Sequence, residues 1–160
     1  MGTIANITSI LNLALGIIAV RFAFLGRMEI SAILLLLCVT LDVLDGKIAR
    51  HEKKTEIGKQ LDSLSDIVSF GAVPSLILMS YLPLELCVFP LLIAIAGEIR
   101  LARYNVTNQR KAFIGVPITS NGLFVPPMIF LGLTSPLIII TYSLAISILM
   151  VSTVKIKRII

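Results

Sequence analysis

From Thr3 to Phe24 the chain carries one charged residue, Arg21, and further long apolar stretches follow it almost to the end, separated by short polar joints. A helix that crosses a bilayer needs about 20 mainly apolar residues. Stretches of that length constrain the fold more than any other feature, because only structures that satisfy their own backbone hydrogen bonds survive in hydrocarbon. Composition agrees. Apolar residues make up 57% of the 160 and charged residues 14%, against about 45–50% and about 25% in soluble domains. Mean hydropathy is +1.00. A soluble enzyme, a disordered regulator and a secreted disulfide scaffold are thereby excluded. The expected class is an all-α integral membrane bundle of six transmembrane helices, one domain over residues 1–160. The expected helices are 3–24, 29–50, 57–81, 84–104, 117–133 and 136–154. No cleavable signal, soluble domain, low-complexity segment or internal repeat is recognisable.

The basic residues orient this bundle. Lys47, Arg50, Lys53, Lys54 and Lys59 flank the second connection, Arg100, Arg103, Arg110 and Lys111 the fourth, and Lys155, Lys157 and Arg158 the C-terminus; only Arg21 and Arg27 remain for the other side. By the positive-inside rule both termini and the two basic connections are cytoplasmic, which places the protein in the cell membrane as a multi-pass chain. A net charge of +5 distributed in this way is a topology signal and not a nucleic-acid footprint. Cys38 and Cys87 lie within apolar runs and read as packed thiols.

Four of the nine acidic residues contradict their surroundings. Asp42 and Asp45 in LLLLCVTLDVLDGKIAR, and Asp62 and Asp66 in IGKQLDSLSDIVSFG, sit within or at the ends of apolar helices. A carboxylate at the centre of a membrane helix costs about 2.5–3.5 kcal/mol on insertion scales. Spacings of three and four put each pair on one helix face, and the short joint between the helices makes them antiparallel neighbours. Four converging carboxylates form an all-oxygen site suited to hard cations such as Mg²⁺, Mn²⁺ or Ca²⁺. Two such ions about 3.5–4 Å apart clamp both oxygens of a phosphoryl displacement. The competing account pairs the carboxylates with Lys47, Arg50 and Lys59. Gly46, Ala49 and Gly58 leave space beside the carboxylates, although small residues in membrane helices also mark close packing. Arg50 is placed to meet an anion at the membrane surface.

The pattern Asp42-x-x-Asp45-Gly46-x-x-Ala49-Arg50, then Gly58-x-x-x-Asp62-x-x-x-Asp66, resembles the signature of the CDP-alcohol phosphotransferases, a family of six-helix membrane bundles. Gln60 to Gly71 with Pro74-Ser75, Gly97 to Asn105, and Phe113-Ile114-Gly115-Val116-Pro117 are similar to its phosphatidylserine synthase branch. Thr3-x-x-Asn6 is similar to the family's opening segment. After Pro117 the chain departs from that branch, with Ile118-Thr119-Ser120-Asn121-Gly122 in place of a second proline and small residues.

The resemblance implies transfer of a phosphatidyl or archaetidyl group from CDP-diacylglycerol or CDP-archaeol to L-serine, with release of CMP and help from divalent ions, as a homodimer. It makes Asp42, Asp45, Asp62 and Asp66 metal ligands and Asp66 also the general base. Asn6, Gly46, Ala49, Arg50, Thr55 and Gly58 would surround the CDP group. Arg100 and Arg103, three apart, are candidates for the serine carboxylate, with snorkelling to the interface as their ordinary role; Glu98 is a candidate for balancing an arginine or meeting the serine ammonium. Ser65 and Ser69 read as packing hydroxyls, His51 as a loop residue, and Tyr104 and Phe70 as interface or core aromatics. Within the family the competing acceptors are glycerol 3-phosphate and inositol phosphate. Outside it, a small cation transporter is the alternative, and a non-catalytic bundle a further one.

Overall fold

The helix limits follow local chemistry in the computed structural model, which describes residues 3–51, 55–107, 113–152 and 155–156. Helix α1, Thr3–Phe24, ends where Gly26 adopts φ 73°. There the Gly26 and Arg27 N–H groups donate to the Ala23 and Phe22 carbonyls, closing the helix in a Schellman motif. Helix α2, Met28–His51, starts immediately after that turn. Helix α3 spans Glu56–Met79. Thr55 caps it, its side chain accepting from the Gly58 N–H at 3.1 Å, and an ion pair of Lys59 with Glu56 at 2.6 Å closes its first turn.

Helix α3 changes character along its length. Glu56–Asp66 is α-helical, Ile67–Ala72 is a wider π-helical segment, and Val73–Met79 returns to α-helix. Pro74 accounts for the irregularity. It has no N–H to return to the Phe70 carbonyl four residues back, and its ring crowds that carbonyl in a regular α-turn. The Val73 N–H accordingly reaches back to the Val68 carbonyl, one residue further than usual.

A short 3₁₀ turn at Leu84–Leu86 precedes helix α4, Val88–Thr107. The expected start at Leu84 is therefore displaced, because Pro83 opens a separate turn. Helix α5, Ser120–Phe130, is shorter than the expected 117–133. Gly115 at φ 73° and a turn from Pro117 to Ser120 delay its start. Gly132 at φ 67° ends it with a second Schellman motif, Leu133 donating to the Met128 carbonyl and Gly132 to that of Ile129. Helix α6 is Pro136–Val151. One detail departs from an all-helical description. Phe113–Ile114 and Lys155–Ile156 form a two-residue antiparallel pair, joining the segments that follow α4 and α6.

Helix α1 packs on α2 and α3, α2 also meets α5, and α4 lies against α6 and the π segment of α3. The centre is filled by Leu35, Phe70, Ile77, Leu78, Ile93, Ile118 and Ile139, all but inaccessible. Polar groups share that interior, among them Ser9, Asn12, Ser31, Ser69, Asn121 and Ser143, while Ile10, Ile17, Leu37, Leu123, Leu137 and Ile148 stand on the outside. Among the described residues, two helical stretches, Asn6–Phe24 and Glu56–Met79, are long and apolar enough to cross a membrane.

Candidate active site

Helices α2 and α3 bring three of the four aspartates together. One carboxylate oxygen from each of Asp42, Asp62 and Asp66 lies within 4.8 Å of the other two, and all three side chains are half-buried. Asp62 and Asp66 share one face of α3 at a spacing of four, and Asp42 meets them from α2. Asp45, Ala49 and Arg50 follow on α2, but their side chains lie outside the described residues, as do those of Lys47 and His51. The donor set of the triad, oxygen alone, matches what Mg²⁺, Mn²⁺ or Ca²⁺ prefers, so these residues fit a divalent ion.

Beside the aspartates, α3 is held against α1 by two side-chain hydrogen bonds. Ser65 Oγ donates to the Ser9 carbonyl at 2.8 Å and Ser69 Oγ to that of Asn12 at 3.2 Å. These serines, four apart, turn one face of α3 to α1, and the carboxylates emerge beside it. Gly16 allows the approach, since a Cβ there would stand 3.0 Å from Ser69 Oγ. Both serines are thus packing hydroxyls, as their sequence context indicates.

The two glycines assigned to the CDP group differ. Gly46 is exposed, and among the described residues a Cβ on it would meet nothing within 4 Å. Gly58 is buried, and a Cβ there would fall 2.8 Å from Asn6 Oδ1 and 3.3 Å from Thr55 Oγ1. Asn6, Thr55 and Gly58 therefore converge where α1 and α3 begin, with the Thr55 hydroxyl already serving as the helix cap.

On α4 the two arginines part. Arg100 is only 9% exposed, and its Nε has no hydrogen-bond partner among the described residues. Arg103 is exposed and donates from Nη1 to the Val151 carbonyl of α6 at 2.9 Å. Glu98 is exposed as well. Asn105 Nδ2 donates to Ser63 Oγ at 3.1 Å, tying the end of α4 to the aspartate-bearing turn of α3. Asn105 belongs to a motif quoted above, but nothing in spacing alone marked its partner.

With that geometry in place, comparison with known proteins gives a consistent answer. Residues 2–156 match the CDP-alcohol phosphatidyltransferase family, and the chain belongs to it. It is 33% identical over 162 residues to an archaetidylserine synthase of Methanothermobacter thermautotrophicus, covering 96% of this chain and 69% of that protein. It is 33% identical over 155 residues to a CDP-diacylglycerol–serine O-phosphatidyltransferase of Methanocaldococcus jannaschii (96% and 73%). A Bacillus subtilis protein of the latter name is 28% identical over 162 residues (97% and 90%). Family membership sets aside the cation-transporter reading of the aspartates.

Proposed function

We propose that the chain transfers a phosphatidyl or archaetidyl group from a CDP-linked lipid to the hydroxyl of L-serine and releases CMP. The observation that carries this reading is the meeting of Asp42, Asp62 and Asp66 within 4.8 Å, on helices whose spacing has the family's form. The names of the relatives above support serine as the acceptor and leave both ester and ether lipids as donors.

Asp42, Asp62 and Asp66, together with Asp45, would hold two divalent ions, Mg²⁺ or Mn²⁺, with Ca²⁺ also suited. Such ions neutralise charge that builds up on the pyrophosphate as it separates. The chain's own groups do the rest. Gly46, Ala49 and Arg50 flank the CDP group from α2, Asn6 from the start of α1, and Thr55 and Gly58 from the start of α3. Asp66 takes the proton of the serine hydroxyl. The freed oxygen attacks the phosphorus that bears the lipid, the bond to the CMP oxygen breaks, and CMP leaves with the electron pair. Arg100 grips the serine carboxylate; its burial and an Nε without a hydrogen-bond partner among the described residues support this role. Arg103, with one N–H on the Val151 carbonyl, is a further candidate for the acceptor, and Glu98 is a weaker one because it is exposed. The buried Arg100 guanidinium suits the carboxylate of serine.

The setting is a cell membrane crossed six times, with both termini and the aspartates toward the cytoplasm. Support comes from the apolar exterior over a serine- and asparagine-bearing interior, the inverse of a soluble surface, and from the one-sided basic residues. The acceptor is tested with radiolabelled serine, glycerol 3-phosphate and inositol phosphate, each offered with CDP-archaeol or CDP-diacylglycerol. Label entering lipid from serine alone is the expected result. Label entering only from a phosphorylated acceptor would overturn the choice of serine while keeping the reaction class.

A further inference from the structure

The departure of the sequence after Pro117 gains a meaning in the fold. Asn121 is fully buried. Its Nδ2 donates to the Phe70 carbonyl at 2.9 Å and to the Ile118 carbonyl at 3.1 Å, and its Oδ1 accepts from the Tyr142 hydroxyl at 2.8 Å. Phe70 O is the carbonyl that Pro74 deprives of a helical donor. A polar chain therefore runs from α6 through α5 to the π segment of α3, inside an otherwise apolar core. Tyr142 fixes the orientation of the amide: a hydroxyl donating to Oδ1 leaves Nδ2 on the side of Phe70. The next residue grips the Phe70 ring, since Gly122 lies so close that a Cβ would stand 2.8 Å from Phe70 Cδ1 and 2.5 Å from Val39 Cγ2.

The gripped segment starts at Ile67, directly after Asp66. A residue added to one turn rotates everything before it by about 100° relative to everything after it. The wide turn thus decides which way Asp62 and Asp66 face when Val73, Ile77 and Leu78 are packed in the core.

We propose that Asn121, oriented by Tyr142, is a positioning residue for the reaction: by holding the Phe70 carbonyl it fixes the π segment, and through it aims the Asp62 and Asp66 carboxylates at Asp42. The inference rests on the aspartates being the metal-binding, proton-accepting site argued above. It adds a buried relay, from α6 through α5 to α3, that sets the geometry of that site from within the apolar core.

The test uses the full chain in detergent, with Tyr142→Phe and Asn121→Leu. Mn²⁺ binding is followed by electron paramagnetic resonance, CMP release gives kcat and the serine KM, and thermal unfolding reports the fold. Tyr142→Phe should lower kcat about 10-fold and Asn121→Leu about 100-fold, the size expected when catalytic groups are misplaced by about 1 Å. Mn²⁺ affinity should weaken in the same order, and the serine KM should hold because Arg100 is untouched. Wild-type kcat and Mn²⁺ affinity in folded Tyr142→Phe would overturn the relay, as would losses that track only the fraction of protein unfolded. Should Asn121→Leu fail to fold, Tyr142→Phe decides alone. Should the unmodified chain release no CMP, the proposed reaction fails, while the Mn²⁺ measurements still report on the relay.

Discussion

The two halves of α3 differ in almost every respect. Glu56–Asp66 is regular, capped by Thr55, tied in its first turn by the Lys59–Glu56 ion pair and half-open along the aspartate face. Ile67–Met79 is irregular at its start and largely buried, with Ser69, Phe70, Ile77 and Leu78 inaccessible. The first half carries charge that hydrocarbon would reject; the second carries the packing that makes its position affordable. What the contrast teaches is a division of labour within one helix. Substitutions of the aspartates in the first half should change chemistry with little change in stability, whereas substitutions of its buried packing residues and around the second half should do the reverse unless they move the wide turn.

The largest effect expected is at the boundary. Asp66→Asn should reduce CMP release by about 10²- to 10⁴-fold, the usual contribution of a positioned base, while cytidine-nucleotide binding and thermal unfolding stay near normal. Turnover close to wild type in that variant would remove Asp66 from the base role. Asp62→Ala should weaken Mn²⁺ binding by at least about 10-fold, since even outer partners of metal ligands cost about 10- to 100-fold; titration of Mn²⁺ into the purified variant measures it. On the other side of the contrast, Gly122→Ala pushes a methyl group into Phe70 and Val39 and should destabilise by about 1–3 kcal/mol, as overpacked cores do. Unchanged thermal unfolding there would show that the second half is looser than its burial implies. The smallest effect is expected at Ser65→Ala, where one buried hydrogen bond to Ser9 is lost. About 1 kcal/mol of stability and no more than a small change in kcat would fit a packing hydroxyl.

Much of this was legible from residue order. Helical period places Asp62 and Asp66 on one face, the short joint after α2 makes α2 and α3 neighbours, and the convergence of Asp42 with them follows. The helix lengths were legible within a few residues where glycine or proline did not intervene. The wide turn was less accessible. Pro74 was a visible signal, but a proline in a helix can be met by a kink, a break or a π segment, and packing chooses among them. Asn121 and Tyr142 were invisible as a pair because their common target, the Phe70 carbonyl, lies 51 residues from Asn121, and hydrogen bonding across helices has no local period. Arg100 and Arg103 show the same limit. Three residues apart they share a face by geometry, yet Arg103 turns to a carbonyl on α6 that no spacing rule reveals.

The most direct test of the central claim is CMP release by the purified chain with serine and a CDP-linked lipid, archaeol- or diacylglycerol-based, as Mn²⁺ or Mg²⁺ is added and then removed by a chelator. The account predicts release that requires serine, ceases on chelation, returns with added metal, and is absent in a variant combining Asp42→Ala, Asp62→Ala and Asp66→Ala. Release that persists in that variant, or that ignores the chelator, would contradict a reaction built on these three carboxylates.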